Sequence, residues 1–357
     1  MIIVKAVSVI IGTIIGAGFA SGKEIYIFFA QYGNCGIIGA VISSILTAII
    51  IYNTIKITKK LQIKNNNEFL EKITKNKNVK MVLENVINAF LLVSFWIMCA
   101  GFCTFFKQEF KIPIIITASI NVIITYFLLM KNMDGIIKLN LIVVPIMVAI
   151  IIAISIKNFT IANLNNIPNT QNLGKAIISS VLYTSYNSIT LIPIIVLLAT
   201  NVKSKKENKI ITLASAIIFL ALILSIYQML NLADVNISKI EIPVLAILSK
   251  CHPIEKMVYS AAIITAILTS AISSGYGVVE NIKDRKKYKN VVLAMCLAEI
   301  PVAYIGFGNL VEILYPLFGV IGIIQIVIIL KNSIAKNVKN WYKLYRKNKG
   351  RNSENEI

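Results

Sequence analysis

Histidine is almost missing from this chain. The one copy in 357 residues, His252, sits beside Pro253 in a loop. No His, Cys, Asp and Glu residues fall at the spacings that hold zinc or iron, so nothing points to a metal centre. Acidic residues are also scarce, 16 Asp and Glu against 36 Lys and Arg. Charge of both signs makes up only 15% of the chain, hydrophobic residues make up 57%, and the mean hydropathy is +0.77. That balance excludes a soluble globular domain of this size. An enzyme is not expected, because no nucleophile and base pair up and no cofactor loop is present. Gly22-Lys23 has the look of the end of a phosphate-binding loop. The upstream glycine position holds Ala17, however, and Glu24 stands where Ser or Thr is required. Five cysteines are too few for a disulfide scaffold. Cys99, Cys103 and Cys296 lie in apolar runs and read as small buried residues. Cys35 and Cys251 fall on one side of the membrane, and spacing alone leaves their pairing open.

What the chain has in quantity is apolar runs of about 20 residues, the length that crosses a bilayer. Ten occur, at 2–32, 36–57, 82–106, 112–130, 136–156, 175–200, 208–231, 256–280, 290–308 and 310–331. The first is too long for a removable signal peptide and lacks a cleavage-type flank. With the N-terminus inside, 28 of the 36 Lys and Arg fall in inside loops and the tail. That asymmetry is the positive-inside pattern. It places both termini in the cytoplasm of a bacterial plasma membrane. The net charge of +20 is thereby a topological signature helped by anionic lipid. No nucleic-acid reading motif accompanies it.

The stretch Gly12-Thr13-Ile14-Ile15-Gly16-Ala17-Gly18-Phe19-Ala20-Ser21-Gly22 puts four glycines inside the first run. Glycine weakens a helix, and non-helical backbone at membrane depth survives only where it is buried in protein or lines a wet cavity. A discontinuous helix is expected there. In the sixth run, Tyr183-Thr184-Ser185-Tyr186-Asn187-Ser188 precedes Pro193, and these hydroxyls compete for the local backbone. A second break is expected, with a continuous Ser/Thr-lined helix interface as the alternative. Breaks in runs one and six match an all-α membrane fold of ten transmembrane helices in a 5+5 inverted repeat. The first repeat is 1–156, an outside connection follows at 157–174, the second repeat is 175–331, and a basic cytoplasmic tail occupies 332–357. Residues 59–80 read as an amphipathic cytoplasmic helix, and 239–250 as an outside helix.

A break exposes carbonyls at the end of one half-helix and N–H groups at the start of the next. The N–H side, at Ala17, Gly18, Phe19, Ser21 and Gly22, suits a substrate carboxylate. Tyr183, Thr184, Ser185 and Asn187 offer carbonyls and hydroxyls to an amine. Phe19, Trp96, Tyr183 and Tyr186 lie near the breaks, and Phe19 and Tyr183 are taken as pocket candidates. Within the membrane, Glu299 is a candidate proton site or a satisfied structural carboxyl. Lys23 and Glu312 form a candidate outer gate, against a local Lys23–Glu24 arrangement. Lys138 enters the fifth run from inside.

The ten-span plan resembles the leucine-transporter-type fold of the amino acid–polyamine–organocation superfamily. Gly12 to Phe29, followed by Tyr32-Gly33, is similar to the YkvI-like amino acid permease family, and Tyr183 to Asn187 is similar to that family's sixth span. The resemblance implies an integral transporter of a small amino acid or related zwitterion, moved by alternating access. It also implies a coupling Na⁺ between spans one and eight. The ligands carried over are the carbonyls of Gly12, Ile15 and Ala266 and the hydroxyls of Thr269 and Ser270. They lie in the matching runs Gly12-Thr13-Ile14-Ile15-Gly16 and Ala266-Ile267-Leu268-Thr269-Ser270. No other cofactor is implied. The alternatives are a proton-coupled permease and a ligand-sensing receptor subunit on the same fold, like that of a spore germinant receptor.

Overall fold

The structure is a computed structural model that describes residues 2–74, 76–130, 145–153, 155–156, 172–231, 237–251, 253–280, 282 and 284–354. Every regular element among them is helical. Among the described residues, six helices are long and apolar enough to cross a membrane. These are α4 (Asn34–Lys60), α6 (Lys77–Phe110), α9 (Leu173–Ala199), α10 (Lys205–Asn231), α12 (Pro253–Val279) and the Phe307–Lys331 part of α14 (Phe307–Glu354). The other apolar runs give shorter or interrupted elements. Run one becomes α1 (Ile2–Ile14), α2 (Ala17–Ser21) and α3 (Lys23–Phe28), and run four becomes α7 (Ile114–Leu129). Run five contributes α8 (145–153), and Lys138 lies outside the described residues. Run nine forms α13 (Arg285–Ala303), whose first five residues carry four basic side chains. The chain is a multi-pass membrane protein.

Two short helices form within the segments 59–80 and 239–250, the second ending one residue beyond. α5 (Asn66–Thr74) is started by the Asn65 side chain, which accepts the Glu68 N–H at 2.9 Å. It buries Phe69, Leu70 and Ile73 in a cluster with Ile57, Ile192, Val196 and Ile329. This apolar face docks α5 at one end of the bundle, beside the cavity described below. α11 (Pro243–Cys251) lies at the other end, after a 3₁₀ turn at Ile237–Lys239. The outward faces of the long helices carry exposed Ile45, Ile49, Phe127, Leu213, Ile217 and Leu317. In water such a belt would drive aggregation, and in a bilayer it is the lipid surface.

The expected break in run six is absent: α9 runs unbroken from Leu173 to Ala199 with Pro193 inside it. The hydroxyls bond within the helix instead of breaking it. Ser180 donates to the Ile177 carbonyl at 2.7 Å, Thr184 to Ser180 at 3.0 Å, Ser185 to Val181 at 2.7 Å and Ser188 to Ser185 at 2.7 Å. Small side chains with satisfied hydroxyls let neighbours approach closely. α9 packs along α4 and α14. Ser43 of α4 pairs with Thr184 at 2.8 Å, and Gly319 and Gly322 of α14 lie against the Leu182 and Ser185 carbonyls.

Candidate functional site

The helix-one break is built by two glycines with different tasks. α1 ends at Ile14, and Gly16 is extended at φ −89° and ψ −178°. Gly22 then sits in the left-handed region at φ +83°, where a side chain is disfavoured, and it joins α2 to α3. Ser21 ties this joint together. Its hydroxyl donates to the Gly18 carbonyl at 2.7 Å and accepts the Lys23 N–H at 3.1 Å. The Tyr259 hydroxyl of α12 donates to the Ala20 carbonyl.

A cavity of about 830 Å³ begins at this break. Gly12, Thr13, Ile14, Gly16, Glu24, Tyr186, Asn187, Ser270, Ser273 and Tyr315 line it, and it extends past Asn66, Glu84 and Glu280 at the α5 end of the bundle. The far end is closed. The Lys23 ammonium donates to the Ser238 carbonyl at 2.9 Å and the Ile240 carbonyl at 3.1 Å. The Gly308 N–H donates to the Glu241 carboxylate. Lys23→Ala is expected to loosen this seal. The check is amide hydrogen exchange, which should quicken over residues 237–242 by about tenfold or more for two lost charge-assisted bonds.

Several sequence-derived residues fall elsewhere. Lys23 and Glu312 make no direct salt bridge: the Lys23 ammonium bonds the Ser238 and Ile240 carbonyls, with Glu312 close enough to act on its charge. Of Tyr183, Thr184, Ser185 and Asn187, only Asn187 lines the cavity. Tyr183 is packed behind it against Phe28 and Phe29, with ring centroids at 5.0 Å and 4.8 Å. Phe19 is fully buried near Phe219. Trp96 donates to the Met295 carbonyl of α13 at 3.0 Å. Glu299 lies off the cavity, buried against α7, where Asn121 donates to it at 3.0 Å and Thr125 at 3.4 Å. Cys35 is a free thiol, and the Cys251 side chain lies outside the described residues.

The N–H groups of the break are partly spent. Those of Ala20 and Gly22 bond to Gly16 and Phe19 carbonyls at 3.0 Å each. The space before Gly18 is filled by the protein's own carboxylate, because a Cβ there would overlap Glu24 Oε1. Glu24 is 3% exposed, and its Oε2 accepts the Tyr186 hydroxyl. Helical neighbours at i and i+1 do not face each other, and that spacing separates Glu24 from Lys23.

On the cation side, the carbonyls of Gly12, Thr13 and Ile15 accept no hydrogen bond from the described residues. The Thr269 hydroxyl donates to the Thr265 carbonyl at 2.8 Å, with the Ala266 carbonyl at 3.2 Å. Ser270 lines the same cavity as Gly12.

No family model matches the chain. It is 26% identical over 340 residues to the uncharacterized protein YyaD of Bacillus subtilis (strain 168), covering 94% of this chain and 98% of that protein. It is 24% identical over 324 residues to the uncharacterized membrane protein YkvI of the same organism, covering 88% and 91%. Among solved structures it is similar to Mhp1 in its inward-facing conformation, with a TM-score of 0.52 at 10% identity over 89% of this chain and 72% of that one. It is also similar to a Na⁺-coupled sialic acid symporter in a substrate-bound outward-open state, with a TM-score of 0.50 at 17% identity over 86% and 72%. The fold is the leucine-transporter type. The solved structures that share it here are membrane transporters, not enzymes.

Proposed function

We propose that this chain is a cation-coupled secondary transporter of a small amino acid or related zwitterion, working by alternating access. The observation that carries this reading is the cavity. It runs from the discontinuous helix one to the α5 end of the bundle, while Lys23, Ile240 and Glu241 close the opposite end. A site at a helix break that is open to one side only is what alternating access requires. On this reading the described helices belong to ten spans in two inverted repeats, 1–156 and 175–331, joined by 157–174 and followed by the 332–357 tail. The protein sits in the cell membrane with both termini cytoplasmic, and the open side is the cytoplasmic one.

The coupling ion is Na⁺, held by the carbonyls of Gly12, Ile15 and Ala266 and the hydroxyls of Thr269 and Ser270. The unbonded carbonyls of Gly12 and Ile15 support this assignment, because Na⁺ favours uncharged oxygens that helix bonding has not already used. Uptake of an amino-acid panel into proteoliposomes, with and without an imposed Na⁺ gradient, tests the reading. Thr269→Ala combined with Ser270→Ala is expected to remove the sodium dependence. Unchanged sodium-driven uptake in that double variant refutes the ion site, and binding without flux would identify a receptor.

A further inference from the structure

We infer that Glu24, with the rings of Tyr186 and Tyr315, is the subsite that recognises the protonated amine of the solute, and that this amine, more than the carboxylate, carries its binding. The cavity wall is one-sided in charge. Three carboxylates line it, Glu24, Glu84 and Glu280, and no Lys, Arg or His does among the described residues. This holds in a chain where basic residues outnumber acidic ones 36 to 16. Near the mouth, Glu84 has Lys80 at 3.8 Å and Glu280 is exposed.

Glu24 differs from both. It is 97% buried by its 3% exposure, lines the deep end of the cavity, and has no ion-pair partner among the described residues. Oε2 takes the Tyr186 hydroxyl, whereas Oε1 accepts no hydrogen bond from the described residues and lies over Gly18. A carboxylate in a desolvated site is stable as an anion only with a cation beside it. Without one it takes up a proton, and the cation that can replace that proton arrives through the cavity. Tyr186 and Tyr315 stack at 4.6 Å beside it, and both line the cavity. Aromatic faces next to a carboxylate suit an alkylammonium group. A carboxylate drawn to the unbonded Ala17, Gly18 and Phe19 N–H groups would sit beside Glu24, whose Oε1 lies where a Gly18 Cβ would be, and the Ala20 and Gly22 N–H groups are engaged.

The inference deepens the transport reading and rests on it for the direction of movement, but binding can be tested separately. Full-length protein in detergent is titrated with L-lysine, with cadaverine (ammonium groups only) and with hexanoate (carboxylate only). Thermal stabilisation and calorimetry provide the readouts. Both amines are expected to bind and hexanoate is not. Glu24→Gln should weaken amine binding by roughly 30-fold or more, the loss expected when one partner of a buried charge pair is neutralised. Glu24→Asp should retain part of the binding, and Tyr186→Phe should weaken it less than Glu24→Gln. A monodisperse elution profile for each variant separates lost binding from lost folding. The inference is overturned if neither amine binds, if hexanoate binds as well as they do, or if Glu24→Gln binds amines like the wild type. Amine binding at Glu24 without flux in proteoliposomes would instead refute transport and leave the subsite standing. Amino-acid flux undiminished in Glu24→Gln would do the reverse.

Discussion

Gly18→Ala is expected to cut amine binding and uptake at least ~10-fold while leaving the protein folded, the scale of one lost charge-assisted contact in a buried site. The added methyl would overlap Glu24 Oε1 and stand 2.8 Å from its Cδ and 3.0 Å from its Cγ. Gly18 is an ordinary helical position in α2, outside the left-handed region, so the backbone itself tolerates alanine. The strain therefore falls on the Glu24 side chain, which must swing away from Gly18 and away from the Tyr186 hydroxyl. Substrate titration of Gly18→Ala, beside its melting temperature, separates the two outcomes. Weakened binding at near-normal stability is expected. Normal binding would mean that the carboxylate position does not matter.

Gly322→Leu is expected to damage the fold itself. A Cβ at Gly322 would overlap the Ser185 carbonyl oxygen and lie 2.7 Å from its carbon. Nearby, a Cβ at Gly319 would stand 2.7 Å from the Leu182 carbonyl. These neighbours are backbone and have no rotamer to yield, so α14 must separate from α9 as a unit. Overpacking of a tight core costs about 1–3 kcal/mol and often more when backbone must move. The check is the melting temperature and the yield of monodisperse protein, with Gly174→Ala as the control, since nothing lies within 4 Å of a Cβ there. A Gly322→Leu protein as stable as that control would contradict the close α9–α14 packing.

The helix-one break was legible in the sequence because glycine acts through the backbone, and Gly16 and Gly22 mark its two joints. The amphipathic α5 and α11 were legible for a similar reason, since their apolar residues sit at helical spacing. The polar run at 183–188 misled, because side-chain composition does not reveal where hydroxyls bond. Here they bond to carbonyls of their own helix, so polarity marks a close helix contact and not a break. Tyr183 and Tyr186 illustrate the same limit. They are three residues apart on α9, yet only Tyr186 reaches the cavity. Glu24 carried a readable signal that adjacency to Lys23 obscured. A carboxylate inside a membrane span marks function by default, and neighbours one residue apart on a helix point in different directions. The seal made by Lys23 was not legible, because its partners are main-chain carbonyls more than 200 positions away in the chain.

Alternating access requires the cavity to open to one side of the membrane at a time. A single cysteine at Ser273, in a background without the five native cysteines, measures this directly when a membrane-impermeant thiol reagent is added from either side. At rest, rapid labelling is expected from the α5 side and little from the Lys23 side. With an imposed Na⁺ gradient and an amine solute, labelling from the Lys23 side should rise while that from the α5 side falls. Labelling from both sides at once, or no exchange between sides under any gradient or solute, would contradict alternating access.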